Sequence, residues 1–222
     1  MSKETLREFY TSHHKALGKY GRKTGGKERV KLMKEIIGTG KKVLDLGCRD
    51  GTFTKFFTEG NEVIGADIDD VALSLCSKDL GITTYNIDLN DDFPFEDSTF
   101  DVVVAGAIIE HIMIPEHFVR ESCRVLKREG IFCGTVPNAC RLKTRWRFLM
   151  GKPLCGDPFH LHFFSYDTLK ALLKKYFSGV TIIPFHGHII GSNKFGIPIT
   201  SNTPLFLGKL FSRHFLWKSI KK

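Results

Sequence analysis

Three groups of residues in this chain could do chemistry. The first is a set of carboxylates placed where apolar runs end. Asp45 lies in Val43-Leu44-Asp45-Leu46, Asp67 follows Glu62-Val63-Ile64-Gly65-Ala66, and Asp88 follows the β-rich residues 82–87. The second is His111, just beyond Asp101-Val102-Val103-Val104-Ala105-Gly106, the clearest buried strand in the sequence. An imidazole there has the right proton affinity to act as a general base on an acceptor hydroxyl. The third is the polar cluster Asp157, His160 and His162 within Gly156-Asp157-Pro158-Phe159-His160-Leu161-His162-Phe163-Phe164. No third ligand stands at a suitable spacing from His160 and His162, so no metal is expected.

The first group implies a ligand. Lys42 to Leu46 read as a buried strand, and Gly47-Cys48-Arg49-Asp50-Gly51 as a tight turn. Residues 52–59 read as a helix carrying Phe53, Phe56 and Phe57 on one face. Backbone N–H groups and the positive end of that helix would meet at one point, suited to a carboxylate or phosphate. If the next strand is a parallel neighbour, Asp67 lies beside the turn and can accept hydrogen bonds from both hydroxyls of a ribose. The ligand is then a nucleoside with a charged group at its far end. A dinucleotide would require G-x-G-x-x-G, whereas the glycines here are Gly47 and Gly51 alone.

The pattern Val43-Leu44-Asp45-Leu46-Gly47-Cys48-x-x-Gly51 closely resembles motif I of the class I S-adenosylmethionine (SAM) dependent methyltransferases. The resemblance extends over residues 40–140. It takes in Phe93-Pro94-Phe95 through Asp101, Ile108-Ile109-Glu110-His111-Ile112, and Val125-Leu126-Lys127-Arg128-Glu129-Gly130. It implies SAM as cofactor, held by Asp45, Gly47, Cys48, Gly51, Asp67, Ile68, Asp88, Leu89 and Ala105. Asp88 falls where many members meet the adenine amino group, with the Leu89 N–H adjacent. One departure stands out: the family usually carries a glycine at the position of Arg49. N-terminal helices in the family often close over the cofactor, which would give Phe9, Tyr10 and Tyr20 a place on a lid. Pro137-Asn138 with the histidine cluster looks like the type-11/type-23-like members. Many of those act on small molecules, isoprenoid quinone precursors or glycans.

The elements that must position these residues alternate. Helices are expected over 28–37, closed by Gly38, over 71–80, capped by Asp69/Asp70 and stopped by Gly81, and over 115–126, 166–177 and 204–211. Strands are expected over 130–136, 180–185 and 214–220. Such alternation with continuous apolar strands implies an α/β fold with a mostly parallel sheet covered on both faces. The family fold makes it a Rossmann-like sheet of seven strands, the last one antiparallel and inserted beside the sixth. The expected organisation is one domain over 1–222, with an N-terminal helical cap (1–38) and an inserted basic segment (139–163). Asp101 is expected to satisfy backbone groups at a strand start. The polar N-terminus, the absence of a long apolar run, and six cysteines without a C-x-x-C pair suggest a reduced, cytoplasmic protein.

Charge is unevenly spread. Residues 1–138 hold 19 Lys+Arg against 22 Asp+Glu, and residues 139–222 hold 14 against 2, a net of −3 and +12. Leu142, Trp146, Leu149 and Met150 share one helical face among Arg141, Lys143, Arg145 and Arg147. This basic amphipathic helix could be a lid packed on the body or a membrane-interface helix. With Phe206, Phe211, Phe215 and Trp217 it suggests an anionic, partly apolar acceptor, small or linked to lipid or glycan, more readily methylated at oxygen. An RNA methyltransferase and a non-catalytic partner subunit are the alternatives. The run Ala105-Gly106-Ala107 lacks the Asn/Asp-Pro-Pro-aromatic clamp of many enzymes that methylate base amino groups, which argues against RNA.

Overall fold

Seven strands form one sheet in the order β3-β2-β1-β4-β5-β7-β6. They are β1 (Lys42–Leu46), β2 (Glu62–Asp67), β3 (Thr83–Asn86), β4 (Phe100–Gly106), β5 (Leu126–Pro137), β6 (Phe177–Gly187) and β7 (Ser212–Lys221). The helices are α1 (Lys3–Ala16), α2 (Lys27–Ile37), α3 (Asp70–Leu80), α4 (Pro115–Val125), α5 (Leu142–Leu149), α6 (Tyr166–Lys174) and α7 (Leu205–Phe211). This computed structural model describes residues 3–16, 18, 20, 21, 26–154, 157, 159–188, 198–200 and 203–222. Residues 20–26, with three glycines, and residues 187–204, rich in Gly, Pro, Ser and Asn, read as loops from the sequence and lie largely outside the described residues.

β1 pairs in parallel with β2 and with β4, and β4 in parallel with β5. β7 runs antiparallel between β5 and β6, as the family resemblance requires. Because strand side chains alternate, the sheet feeds two cores. Leu44, Leu46, Val103, Ala105, Phe132, Phe215 and Trp217 pack with Phe118 and Val119 of α4 and Leu169 and Leu173 of α6. Val43, Val102, Val104, Cys133 and Leu216 pack on the other face with Met33 and Ile37 of α2. Gly134 supplies the space the indole needs, since a Cβ there would collide with Trp217 and with the Ala105 carbonyl oxygen. Asp101 accepts a hydrogen bond from the Lys42 N–H at 2.8 Å, tying the starts of β4 and β1 together.

Two expectations are corrected here. Residues 52–59 form a single 3₁₀ turn, Thr54–Phe56, in place of a helix. Gly51 and Gly60 both have positive φ and bound the segment, while Phe53 and Phe57 turn into the core and Thr54 donates to Asp45 at 2.7 Å. Tertiary contacts override helix spacing over so short a stretch. One turn also has little macrodipole, so the charged end of a ligand must be met by something else. In the C-terminal third, Phe215 and Trp217 are completely enclosed, 1% and 0% exposed, because β7 is an interior strand with both faces covered. They cannot meet an acceptor.

Candidate active site

Strand order reverses between β1 and β4, and ligands in open α/β sheets bind at the carboxyl ends of the strands flanking that point. A cavity of about 300 Å³ opens there. Asp45, Gly47, Cys48, Asp67, Ile68, Asp88, Leu89 and His111 all line it. Two expected cofactor residues do not. Gly51 has φ +72° and faces α3, where a Cβ would stand 2.6 Å from Leu80 Cδ1 and 2.9 Å from Cys76 Sγ. Its role is the bend and the close packing, because L side chains disfavour that conformation. Ala105 points into the core with no exposure, and Gly106, Ala107 and Ile108 form that part of the wall instead.

The Asp67 carboxylate is aimed by backbone. Its Oδ2 accepts the Arg49 N–H at 2.9 Å and its Oδ1 accepts the Asp69 N–H at 3.0 Å. A carboxylate oxygen can accept a further bond, so two ribose hydroxyls remain within its capacity. Burial raises its pKa, and the two N–H groups oppose that shift. Arg49 adopts φ +50°, the left-handed conformation for which the family's usual glycine is suited. Its N–H bond to Asp67 and its Nε contact with Asp50 at 3.1 Å hold it there. Asp88 accepts hydrogen bonds from the N–H and side-chain amide of Asn90 at 2.9 and 2.7 Å, which fixes that part of the cavity wall.

Arg29 of α2 was not anticipated from sequence. Its guanidinium lines the cavity, stacked 4.1 Å over the Phe53 ring, and its Nε has no hydrogen-bond partner among the described residues. Burial lowers its pKa to about 10, opposed by attraction to Asp45 and Glu110. An enclosed cation with an unsatisfied donor suits the carboxylate of a methionine moiety. Nothing local in Glu28-Arg29-Val30 marks it out, since only the packing of α2 on the sheet brings it to the cavity. Asp45 lies beside it, and burial raises that carboxyl to about 7 despite the Thr54 hydrogen bond and the attraction of Arg29.

A pH dependence follows. Asp45 loses its proton as pH rises through about 7, so the charge that would attract a methionine ammonium grows between pH 6 and 8. If binding shifts that pKa by about one unit, SAM affinity rises by up to about tenfold over this range. Asp45→Asn should flatten the slope in calorimetric titrations, and an unchanged slope would remove Asp45 from the binding account.

The N-terminal segment covers the cavity. Tyr10 and His14 of α1 are in its wall. Thr11 donates to Asp69 at 3.0 Å, Tyr20 at 2.6 Å, and His14 contacts it at 2.8 Å. Asp69 also caps α3 through the N–H groups of Val71 and Ala72. Burial would raise its pKa, but these bonds outweigh that and lower it to about 2. The Gly21 N–H donates to Asp50 at 2.6 Å, a second fastening. Of the three aromatics considered for a lid, Tyr10 faces the cavity, Tyr20 fastens to Asp69, and Phe9 packs on Phe159 at 4.9 Å.

His111 ends the 3₁₀ turn Ile109–His111 after β4 and lines this cavity, while its neighbour Glu110 lines a second one of about 260 Å³. The second cavity is lined by Glu110, His160, His162, Arg141, Arg147 and Arg213, among others. His160 stands edge-on to His111 at 4.8 Å, while His162 turns to the Met113 carbonyl at 3.2 Å. The Glu110 carbonyl accepts the N–H groups of Leu161 and His162 at 2.9 and 3.1 Å, which docks this loop. Glu110, 2% exposed, was also missed. Burial raises its pKa to about 8, opposed by a backbone hydrogen bond and Arg29. The signal available was a charge enclosed by apolar neighbours in Ile108-Ile109-Glu110-His111-Ile112.

Residues 44–134 match a methyltransferase domain family. A probable SAM-dependent methyltransferase of Mycobacterium tuberculosis is 31% identical over 137 residues, covering 61% of this chain and 47% of that protein. The human mitochondrial ubiquinone biosynthesis O-methyltransferase is 30% identical over 149 residues, covering 61% of this chain and 40% of that one. The chain thus spans about half the length, or less, of these curated relatives. The crystal structure of a SAM-dependent methyltransferase from Archaeoglobus fulgidus superposes with a TM-score of 0.65 at 19% identity, covering 97% and 94% of the two chains. Residues 44–134 are thus similar to a methyltransferase domain family, and the sheet order, with a cavity at its switch point, gives the chain the fold of the SAM-dependent methyltransferase structure it superposes on.

Proposed function

We propose that this chain transfers the methyl group of SAM to an oxygen of an anionic, partly apolar acceptor carried at a lipid surface. The observation that carries the acceptor class is positive charge without a counterion. Arg141, Arg147 and Arg213 line the second cavity, and none of them is paired with a carboxylate among the described residues. Arg141's pKa is lowered by burial and by the like charges of Arg213 and Arg147. His214 is lowered to about 4 by burial, then by His186 and the surrounding arginines. A phosphate or carboxylate entering there would relieve this repulsion.

The apolar stripe of α5 supports the lipid reading over the packed lid. Trp146, Leu149 and Met150 are 65%, 76% and 63% exposed, and Phe206 of the neighbouring α7 is 64% exposed. Contiguous exposed apolar groups beside basic ones suit an anionic interface. No described helix is long and apolar enough to cross a membrane, so contact would be peripheral. The human relative's name, an O-methyltransferase of ubiquinone biosynthesis, favours oxygen as the methylated atom. A reducing cytoplasm accords with five described cysteines that are free thiols. We read residues 1–222 as one domain, with α1 and α2 as its cap.

When bound, SAM supplies a methyl group on a sulfonium, whose C–S bond breaks as a C–O bond forms while sulfur keeps the electron pair. The chain's own task is positioning, with Asp67 on the ribose, Asp88 and Leu89 at the base, and Arg29 and Asp45 at the amino-acid end. The arginine cavity orients the acceptor so that its hydroxyl meets His111. Loss of the hydroxyl proton depends on His111, as base or through what that side chain holds.

Methyl-labelled SAM incubated with lipid, aqueous small-molecule and RNA fractions tests this reading. Label should enter the lipid fraction, and Trp146→Ala should reduce that incorporation while transfer to a solubilised acceptor persists. Label only in RNA would overturn the acceptor class. Label only in aqueous products, indifferent to Trp146, would leave α5 as a solvated face.

A further inference from the structure

The loop after β5 brings His160 back to the turn that carries Glu110 and His111. One ligand atom from each of these three residues lies within 4.8 Å of the others. We propose that Glu110, His111 and His160 form a binding site for a divalent transition-metal cation between the cofactor cavity and the arginine-lined cavity. Glu110 is 2% exposed, and its Oε2 has no hydrogen-bond partner among the described residues. A carboxylate oxygen buried without a donor is costly, and a cation is the partner that would satisfy it. The His111 Nδ1 lies 3.0 Å from the Phe159 carbonyl oxygen. A carbonyl only accepts, so Nδ1 carries the hydrogen and the lone pair is on Nε2. This outer-shell contact is the one that metal-ligating histidines generally make, fixing tautomer and ring orientation. His160 is held independently, because the two N–H groups that follow it in sequence both bond the Glu110 carbonyl.

Two imidazoles and one carboxylate favour zinc or another borderline cation such as cobalt over magnesium or calcium, which prefer oxygen ligands. Three protein ligands leave a coordination position open. His111 borders the cofactor cavity, while Glu110 and His160 border the other, so that position falls where the two meet. The role of the cation in turnover rests on the oxygen-acceptor reading above, although its binding does not. An acceptor oxygen bound there is acidified and releases its proton to water, with His111 serving as ligand.

The test uses the full chain, stripped with a chelator and dialysed, then titrated with Co²⁺ under optical detection and with Zn²⁺ by calorimetry. One cation per chain is expected, with the visible spectrum of four- or five-coordinate cobalt. Glu110→Gln and His160→Ala should each weaken binding by at least about 10–100-fold, the loss already typical of outer-shell partners. His162→Ala, on the same loop but turned to Met113, should leave stoichiometry and spectrum unchanged. SAM titration of each variant serves as the folding control, because neither Glu110 nor His160 lines the cofactor cavity. SAM binding without saturable cation binding, or cation binding unaffected by Glu110→Gln and His160→Ala, would overturn the metal site and leave the methyltransferase reading intact. Cation binding in a chain that ignores SAM would do the reverse.

Discussion

His111→Ala should lower methyl transfer by about 10²–10⁴-fold, the range for losing a positioned group that removes a proton. SAM affinity should change little, because the contacts proposed for its ribose, adenine and methionine ends are made by other residues. The expectation rests on placement. The 3₁₀ turn after β4 puts the imidazole on the wall of the cofactor cavity, in contact with His160 of the second one, with its Nδ1 anchored 3.0 Å from the Phe159 carbonyl oxygen. Added imidazole should restore part of the rate if His111 is the base. Restoration by added cation at high concentration would instead identify it as a ligand. A variant with normal turnover and an unaltered pH profile would leave only a structural histidine.

The second large effect belongs to Asp67. Asp67→Ala should weaken SAM binding by about 1.5–3 kcal/mol, the cost of losing hydrogen bonds to a charged partner. That corresponds to roughly 10–150-fold in Kd. The same substitution strands the Arg49 and Asp69 N–H groups that the carboxylate now satisfies. Some loss of thermal stability is therefore expected alongside. Asp67→Asn keeps the shape but turns an amide hydrogen toward one of those N–H groups, so it should also bind poorly. Wild-type affinity in a folded Asp67→Ala would place the ribose elsewhere.

The parts of this molecule that could be read from sequence are those set by short-range pattern. Apolar runs ending in a carboxylate located β1, β2 and Asp67. Asp69 and Gly81 marked both ends of α3, as its cap geometry bears out. The antiparallel insertion of β7 came from the resemblance alone, since nothing in Ser212–Lys221 states its neighbours. What could not be read depends on contacts distant in sequence. The helix expected over 52–59 yields to the inward turn of Phe53 and Phe57. Arg29 and Glu110 acquire their roles only when α2, the turn after β4 and the loop around His160 converge. The aromatic tail divides by topology, with Phe206 outside and Phe215 and Trp217 in the core. Residue type alone does not distinguish those fates.

The most direct test is calorimetric titration of the purified chain with SAM, with its demethylated product and with a dinucleotide such as NADH as comparison. Two glycines where a dinucleotide site needs three, an aimed Asp67 and an enclosed Arg29 predict saturable binding of SAM and of its product, one per chain, with none for NADH. A chain that binds neither SAM nor its product, or that takes the dinucleotide as well as SAM, would contradict the account.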